Sequence, residues 1–251
     1  MVIILCGAYM TGKTVSACTF PKPMKFLDYD GKFLSATTAK NPDGSLVVPD
    51  WKDIEVVPMY APAGQTDIDF KFSLDSKSAP NFAKGSADLN IKFNQITEEI
   101  FKAPGKYKTF VIDSLSRMFR VWKNVLLTTN SIPNPRPGDY IFFEGLLDRW
   151  FGMMKDMPVD FVILTSHEAI DKDELTGEIL EYPLGLSANL GKGMGRYTNE
   201  LYRQMIETGE KYVWYTRKKG RFNAGSGLSL PNPIPATYYE LKKHLPKEVV
   251  T

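Results

Sequence analysis

The segment Gly7-Ala8-Tyr9-Met10-Thr11-Gly12-Lys13-Thr14, GAYMTGKT, follows the apolar run Val2 to Cys6 and precedes a stretch that reads as a short helix from Lys13 to about Thr19. It matches the pattern G-x-x-x-x-G-K-[ST] without a gap. The chemistry requires this order. Gly7 and Gly12 let the backbone turn so that its N–H groups point inward at an anion, and the positive end of the following helix adds to them. Lys13 is spaced to reach β- and γ-phosphates, and Thr14 to offer its hydroxyl to Mg²⁺. All eight residues therefore read as a cradle for ATP with Mg²⁺. The plainer alternative is a glycine-rich turn between a strand and a helix. The buried strand before the segment and the helix after it favour the cradle.

The rest of the chain sets the context. It has 251 residues, 43% apolar and 24% charged, which fits one large globular domain with a sizeable core. The formal charge of +2 gives little global attraction to nucleic acid or anionic membrane, so any such binding must come from local patches. Cys6 and Cys18 form no CxxC pair, and with two histidines in the chain no zinc constellation is credible. Sparse thiols suit a reducing cytosol. No apolar run reaches membrane-spanning length, and MVIILCG lacks the basic start of a signal peptide. The expectation is a cytoplasmic protein with no membrane partner.

Continuous β-branched runs read as buried strands at Val2–Cys6, Lys25–Gly31, Tyr107–Ser114 and Asp160–Glu168, with a late strand at Lys211–Arg221. Phe20-Pro21-Lys22-Pro23 stops the first helix. Helical spacing marks Asp88–Phe101, Leu115–Leu127 and Tyr140–Met157, and a further helix is expected near Gly195–Glu207. Asn130–Asp139 is a proline-rich loop, and Asp67–Asp75 alternates as an edge strand would. The stretch at about 33–84 reads as an elaboration on the core. Strands alternating with helices give an α/β class: a mostly parallel sheet covered on both faces, in a single domain.

Four places outside the cradle carry chemistry. Asp113 ends the FVID strand, where a carboxylate can hold Mg²⁺; the alternative is a strand-terminal helix cap. Asp28 and Asp30 close the second strand. Alternation sends both to one side, and Asp30, nearer the end and Gly31, is the better candidate for a base that polarises water. The competing reading is a turn-forming Asp-Gly. Thr165, Ser166 and His167 end the fourth strand, and His167 is placed either to sense a γ-phosphate or simply to fill a structural role. Arg217, Lys218, Lys219 and Arg221 form a basic strand end. They are a solvated face, a finger toward a neighbour's phosphate, or contacts to a nucleic-acid backbone.

The stretches GAYMTGKTVSACTFPKPMKFLDYDG, YKTFVIDSLSRM, FVILTSHE and LYRQMIETGEKYVWYTRKKGR, in this order over about Val2 to Arg221, resemble the RecA-like P-loop ATPases. They are most similar to a phage-encoded group of RecA-related single-strand-annealing ATPases, the phage AAA-type nucleotide-binding proteins. The resemblance implies a RecA-like core with ATP at a subunit interface of a homo-oligomer. It implies Lys13 and Thr14 as P-loop lysine and hydroxyl, Asp113 as the Walker B acid, Asp30 as the catalytic acid and His167 as the polar sensor. Lys218, Lys219 and Arg221 fall near the trans-acting basic residues. Mobile DNA-binding loops are implied near Asn130–Phe143 and Glu168–Arg196, the second carrying Lys192 and Arg196 among glycines. A segment of that kind suits a phosphate backbone; an exposed loop without a partner reads the same way.

The leading expectation is an ATP-dependent protein of DNA recombination or single-strand annealing, binding single-stranded DNA in the host cytoplasm, with a single-strand-binding protein as a further partner. A small-molecule kinase with a P-loop, and a nucleotide-gated loader or assembly adaptor, are the alternatives.

Overall fold

The computed structural model describes residues 1–60, 79–129, 136–172, 177, 179–185 and 188–246. The alternating stretch 67–75 and residues 130–135 of the proline-rich loop lie outside them.

The sheet is built outward from β1 (Val2–Gly7), whose residues are all buried. Their side chains alternate between two cores, with Val2, Ile4 and Cys6 in one and Ile3 and Leu5 in the other. Burying side chains of this size contributes about 1.5–3 kcal/mol each, enough to fix β1 at the centre. On one side β1 pairs in parallel with β5 (Phe161–Lys172), which leads on in parallel to β4 (Thr109–Asp113), β2 (Met24–Asp28) and β3 (Ile54–Pro58). On the other side it pairs in parallel with β7 (Glu200–Glu207). There β8 (Lys211–Tyr215) and β10 (Ile234–Pro235) extend the sheet antiparallel, and β9 (Gly225–Ser226) also pairs with β7. The order among the described residues is β10-β8-β7-β1-β5-β4-β2-β3, and β6 (Ile179–Pro183) pairs antiparallel with the outer half of β5.

The short helices α1 (Lys13–Ala17), α2 (Leu34–Thr38) and α7 (Tyr238–Leu241) pack on the core of Ile3 and Leu5, through Ala17, Ala36, Tyr238 and Leu241. The long helices α3 (Ala79–Lys102), α4 (Leu115–Thr129) and α5 (Pro137–Lys155) cover the other face. They contribute Phe93, Phe119, Trp150 and Phe151 to its core. A small helix, α6 (Ala188–Lys192), and a turn of 3₁₀ helix, Met194–Tyr197, precede β7. Among the described residues no helix is long and apolar enough to cross a membrane. The α/β class with a mostly parallel sheet is as expected, and the antiparallel ribbon β7–β8–β10 makes the sheet mixed.

Several boundaries differ from the sequence reading. The helix expected near 195–207 is instead a turn of 3₁₀ helix, Met194–Tyr197, followed by strand β7. Its residues Leu201 and Tyr202 are buried on opposite faces, as a strand between two others demands, and no helical stripe survives that placement. The loop Thr208-Gly209-Glu210 turns it into β8, with Gly209 and Glu210 at φ +81° and +59°. The late strand stops at Tyr215 rather than Arg221. Within 33–84, β3 adds a parallel neighbour to β2, and α3 begins at Ala79 rather than Asp88. Of the segments implied as loops, 137–143 opens α5, and Glu168–Lys172 pairs with Ile179–Pro183 as a ribbon.

Candidate functional site

The cradle is the turn between β1 and α1. Gly12 stands at φ +80°, and a Cβ there would sit 2.9 Å from the Tyr212 ring. A Cβ on Gly7 would lie 2.4 Å from the Gln204 carbonyl oxygen, closer than any side chain tolerates. Gly12 is thus demanded by its backbone conformation and by β8, and Gly7 by the closeness of β7. Lys13 folds under the loop, and its Nζ donates to the carbonyl oxygens of Gly7 (2.8 Å) and Ala8 (2.6 Å). Burial pulls its pKa below the ordinary lysine value. Thr11 Oγ1 donates to Ala8 O at 2.9 Å. Met10 and Tyr9 stand out at the rim, 89% and 69% exposed.

The loop is pinned from β7 by Gln204, which is fully buried. Its Nε2 donates to Thr11 O (2.6 Å) and Ser16 Oγ (2.9 Å), while its Oε1 accepts from Trp214 Nε1 at 2.9 Å. Gln204 and Trp214 are direct cross-strand partners on β7 and β8. No sequence motif marks either of them, nor Tyr212. Their pairing becomes legible once Glu200–Glu207 is read as a strand.

Because β5 lies between β1 and β4, Asp113 is two strand spacings, about 10 Å, from the cradle strand. Thr14, one residue into α1, closes that gap: its Oγ1 donates to Asp113 Oδ2 at 2.7 Å. Thr165, in the middle of β5 just past the last residue paired with β4, donates to Oδ1. Burial pushes the Asp113 carboxyl above its ordinary pKa in spite of these two hydroxyls. The structure separates the two acids of the second strand. Asp28 is in register with Asp113 but is taken up by the backbone N–H groups of Lys32 (3.1 Å) and Phe33 (3.2 Å), a turn-holding role. β2 ends at Asp28, so strand alternation no longer governs Asp30, which turns to His167 Nε2 at 3.3 Å. Burial acts to raise the Asp30 pKa, but hydrogen bonds from His167 and Ser114 and the charge of Lys32 leave it below the usual carboxylate value. His167 stacks under Tyr9, with ring centroids 4.1 Å apart, and Lys32 Nζ lies 5.4 Å from the centre of the Tyr9 ring.

Lys13, Thr14, Asp30, Asp113 and His167 line one cleft of about 470 Å³, together with Met10 and Tyr212 among others. Its size suits a nucleoside triphosphate. The donor set fits Mg²⁺ held beside phosphates. One hydroxyl and one carboxylate stand together, and among the described residues no group of three or more His, Cys, Asp or Glu makes an all-protein metal cage.

The remaining sequence candidates lie away from this cleft. Lys218 and Arg221 are exposed on a turn where Lys219 and Phe222 exchange backbone hydrogen bonds. Lys192 pairs with Asp171 at 3.1 Å, and Arg196 pairs with Glu144 and lies over the Tyr197 ring. A half-buried network not anticipated from sequence joins Arg203 to Glu168 (2.8 Å) and Glu181 (2.7 Å), tying β7 to the β5–β6 ribbon beside the cradle.

A family model described as an AAA domain matches residues 1–227, a span that holds every residue of this site. No curated protein matches the chain.

Proposed function

The chain belongs to the AAA-domain family of P-loop ATPases, and we propose that it couples Mg²⁺-ATP hydrolysis to binding of single-stranded DNA in recombination or annealing, with the nucleotide at an interface between copies of the chain. The observation that carries the hydrolytic part is the convergence of Lys13, the Thr14–Asp113 pair and Asp30 on a single cleft.

In this reading the Lys13 ammonium exchanges the Gly7 and Ala8 carbonyls for phosphate oxygens. Thr14 and Asp113 would hold the metal, and the Mg²⁺-bound nucleotide would supply the polarised phosphoryl group. Asp30, kept ionised by its surroundings, accepts a hydrogen bond from water and orients it. His167 sits between this chemistry and the rest of the chain. Its backbone N–H bonds Ser116 Oγ at 3.0 Å, and its carbonyl accepts from Leu184 N at 2.7 Å. That contact supports a path from the cleft to the segment bearing Lys192 and Arg196, which would meet the DNA backbone. Lys218 and Arg221 are available to a neighbouring copy, and a single-strand-binding protein is a further proposed partner.

Phosphate release from Mg²⁺-ATP, measured with and without single-stranded DNA and with Lys13→Ala as control, tests this. Stimulation by DNA that the control abolishes is the expected result. Hydrolysis indifferent to DNA removes the DNA part and leaves an ATPase whose partner is to be sought among proteins or phosphate acceptors.

A further inference from the structure

A second cavity, of about 240 Å³, lies beside the nucleotide cleft and shares Asp30, Lys32 and His167 with it. It is the smaller of the two, and its wall differs. Tyr9 and the Tyr9–His167 stack form one side, and the amino end of α4 forms the other through Ser114, Ser116, Arg117 and Arg120. Three cations, Lys32, Arg117 and Arg120, face one carboxylate, Asp30. Asp30 is already engaged by His167. Both arginines are exposed, and among the described residues neither guanidinium makes a hydrogen bond or ion pair. His167, 8% exposed, carries a buried Nδ1 that has no hydrogen-bond partner among the described residues. A buried ring nitrogen without a partner is costly, and it sits in a residue that lines this cavity.

We infer that this cavity is a second phosphate-oxyanion site, separate from the cradle, in which Arg117 and Arg120 grip the oxyanion and Lys32 adds charge. Two guanidinium forks one helical turn apart suit an oxyanion better than lysines do, because each offers paired N–H donors to two oxygens. The spacing of 117 and 120 puts both on one side of α4. The Tyr9–His167 stack is the partition between the two sites. The ligand class is a phosphate group, and it has two sources: orthophosphate leaving the nucleotide cleft, or a phosphodiester of a nucleic-acid strand. The site does not depend on DNA-coupled hydrolysis, since it is read from the cavity alone.

The test uses full-length protein saturated with Mg²⁺-ADP, so that the cradle is filled. Radiolabelled orthophosphate is titrated by equilibrium dialysis against wild type, Arg117→Gln, Arg120→Gln and Lys13→Ala, with melting curves to confirm that each variant is folded. The expected result is saturable orthophosphate binding that weakens tenfold or more in each arginine variant, with ADP affinity within twofold of wild type. A short oligothymidylate is then added to the loaded protein. Displacement of orthophosphate identifies the phosphodiester as the source; retention identifies the released product. Absence of saturable binding overturns the site. So does binding that the arginine variants keep and Lys13→Ala loses, because the ion then sits at the γ-phosphate position of the cradle.

Discussion

The phosphate cradle at 7–14 and the basic segments at 192–221 carry the same kind of charge in opposite surroundings. Lys13 is 6% exposed and held by neutral carbonyl oxygens of its own loop. Lys192 and Arg196 rest on the carboxylates of Asp171 and Glu144, while Lys218 and Arg221 project into solvent. A phosphate entering the cradle replaces weak dipoles with a full negative charge. A phosphate meeting Lys192 or Arg196 replaces one anion with another, for a small net gain that salt erodes. The first region has its cation buried and in place without any carboxylate partner within hydrogen-bond reach among the described residues. The second can bind only when many contacts act together.

The sharpest way to break this contrast is Lys13→Ala. Removing the cation buried beneath the loop should lower kcat for ATP hydrolysis by about 10³-fold, measured by phosphate release. A loss comparable to that from an exposed lysine would mean that the cradle's organisation is incidental. Asp30→Asn should lower kcat by about 10²-fold while ATP affinity, measured by calorimetry, stays within about twofold. Gln204→Leu strips the loop of its anchor and leaves the Trp214 indole and the Ser16 hydroxyl without a partner. A loss of about 2 kcal/mol in chemical denaturation is expected, together with weaker nucleotide binding. At the small end, Lys192→Ala and Arg196→Ala should each lower the salt slope of single-stranded-DNA binding by about one. Glu144→Gln, which releases Arg196, should tighten that binding a fewfold. A large effect of either alanine at high salt would erase the contrast.

The two cleft carboxylates also part company with pH. Asp30 has a lowered pKa, so its ionised form is present above that value and is lost as pH falls through it. Asp113 has a raised pKa, so its charge is lost earlier on the same descent. The acid limb of the kcat profile should therefore follow Asp113 and move to lower pH as Mg²⁺ is increased, since metal competes with the proton. For the apo fold the sign reverses at Asp113. A raised pKa favours the neutral carboxyl, and the stability this brings is full below the unfolded value and is lost as pH rises through the folded one. Thermal melts of Asp113→Asn without nucleotide should accordingly lie above wild type at neutral pH.

The cradle was legible in the sequence because its requirements are contiguous: strand, two glycines, lysine, threonine and helix fall within one short stretch. The place of Asp113 at the end of a buried strand was legible, but its partner Thr14, 99 positions away, came only with the fold. The choice between Asp28 and Asp30 was not fully decided there, because it depends on where β2 stops and which acid the Lys32–Phe33 turn takes up. Residues 200–207 misled because Leu201, Tyr202, Met205 and Ile206 fit a helical period as well as a strand buried on both faces. Only the need of β1 for a second neighbour decides the matter. Gln204 and Trp214 meet through the pairing of β7 with β8, ten positions apart, so neither announces itself before that register is known.

Both thiols of the chain are free and fully buried, and burial pushes both far toward the unreactive protonated form. Cys6 lies immediately before the cradle, with its Sγ 3.7 Å from the His167 carbonyl oxygen, between the glycine loop and the middle of β5, where the histidine stands. An alkylating reagent can reach it only when that junction parts. The rate at which Cys6 is labelled is then a clock on the opening of the crevice. Ligands that hold β1 and β5 together slow it, and the exposed surface, free of native cysteine among the described residues, stays open to a dye at any chosen position.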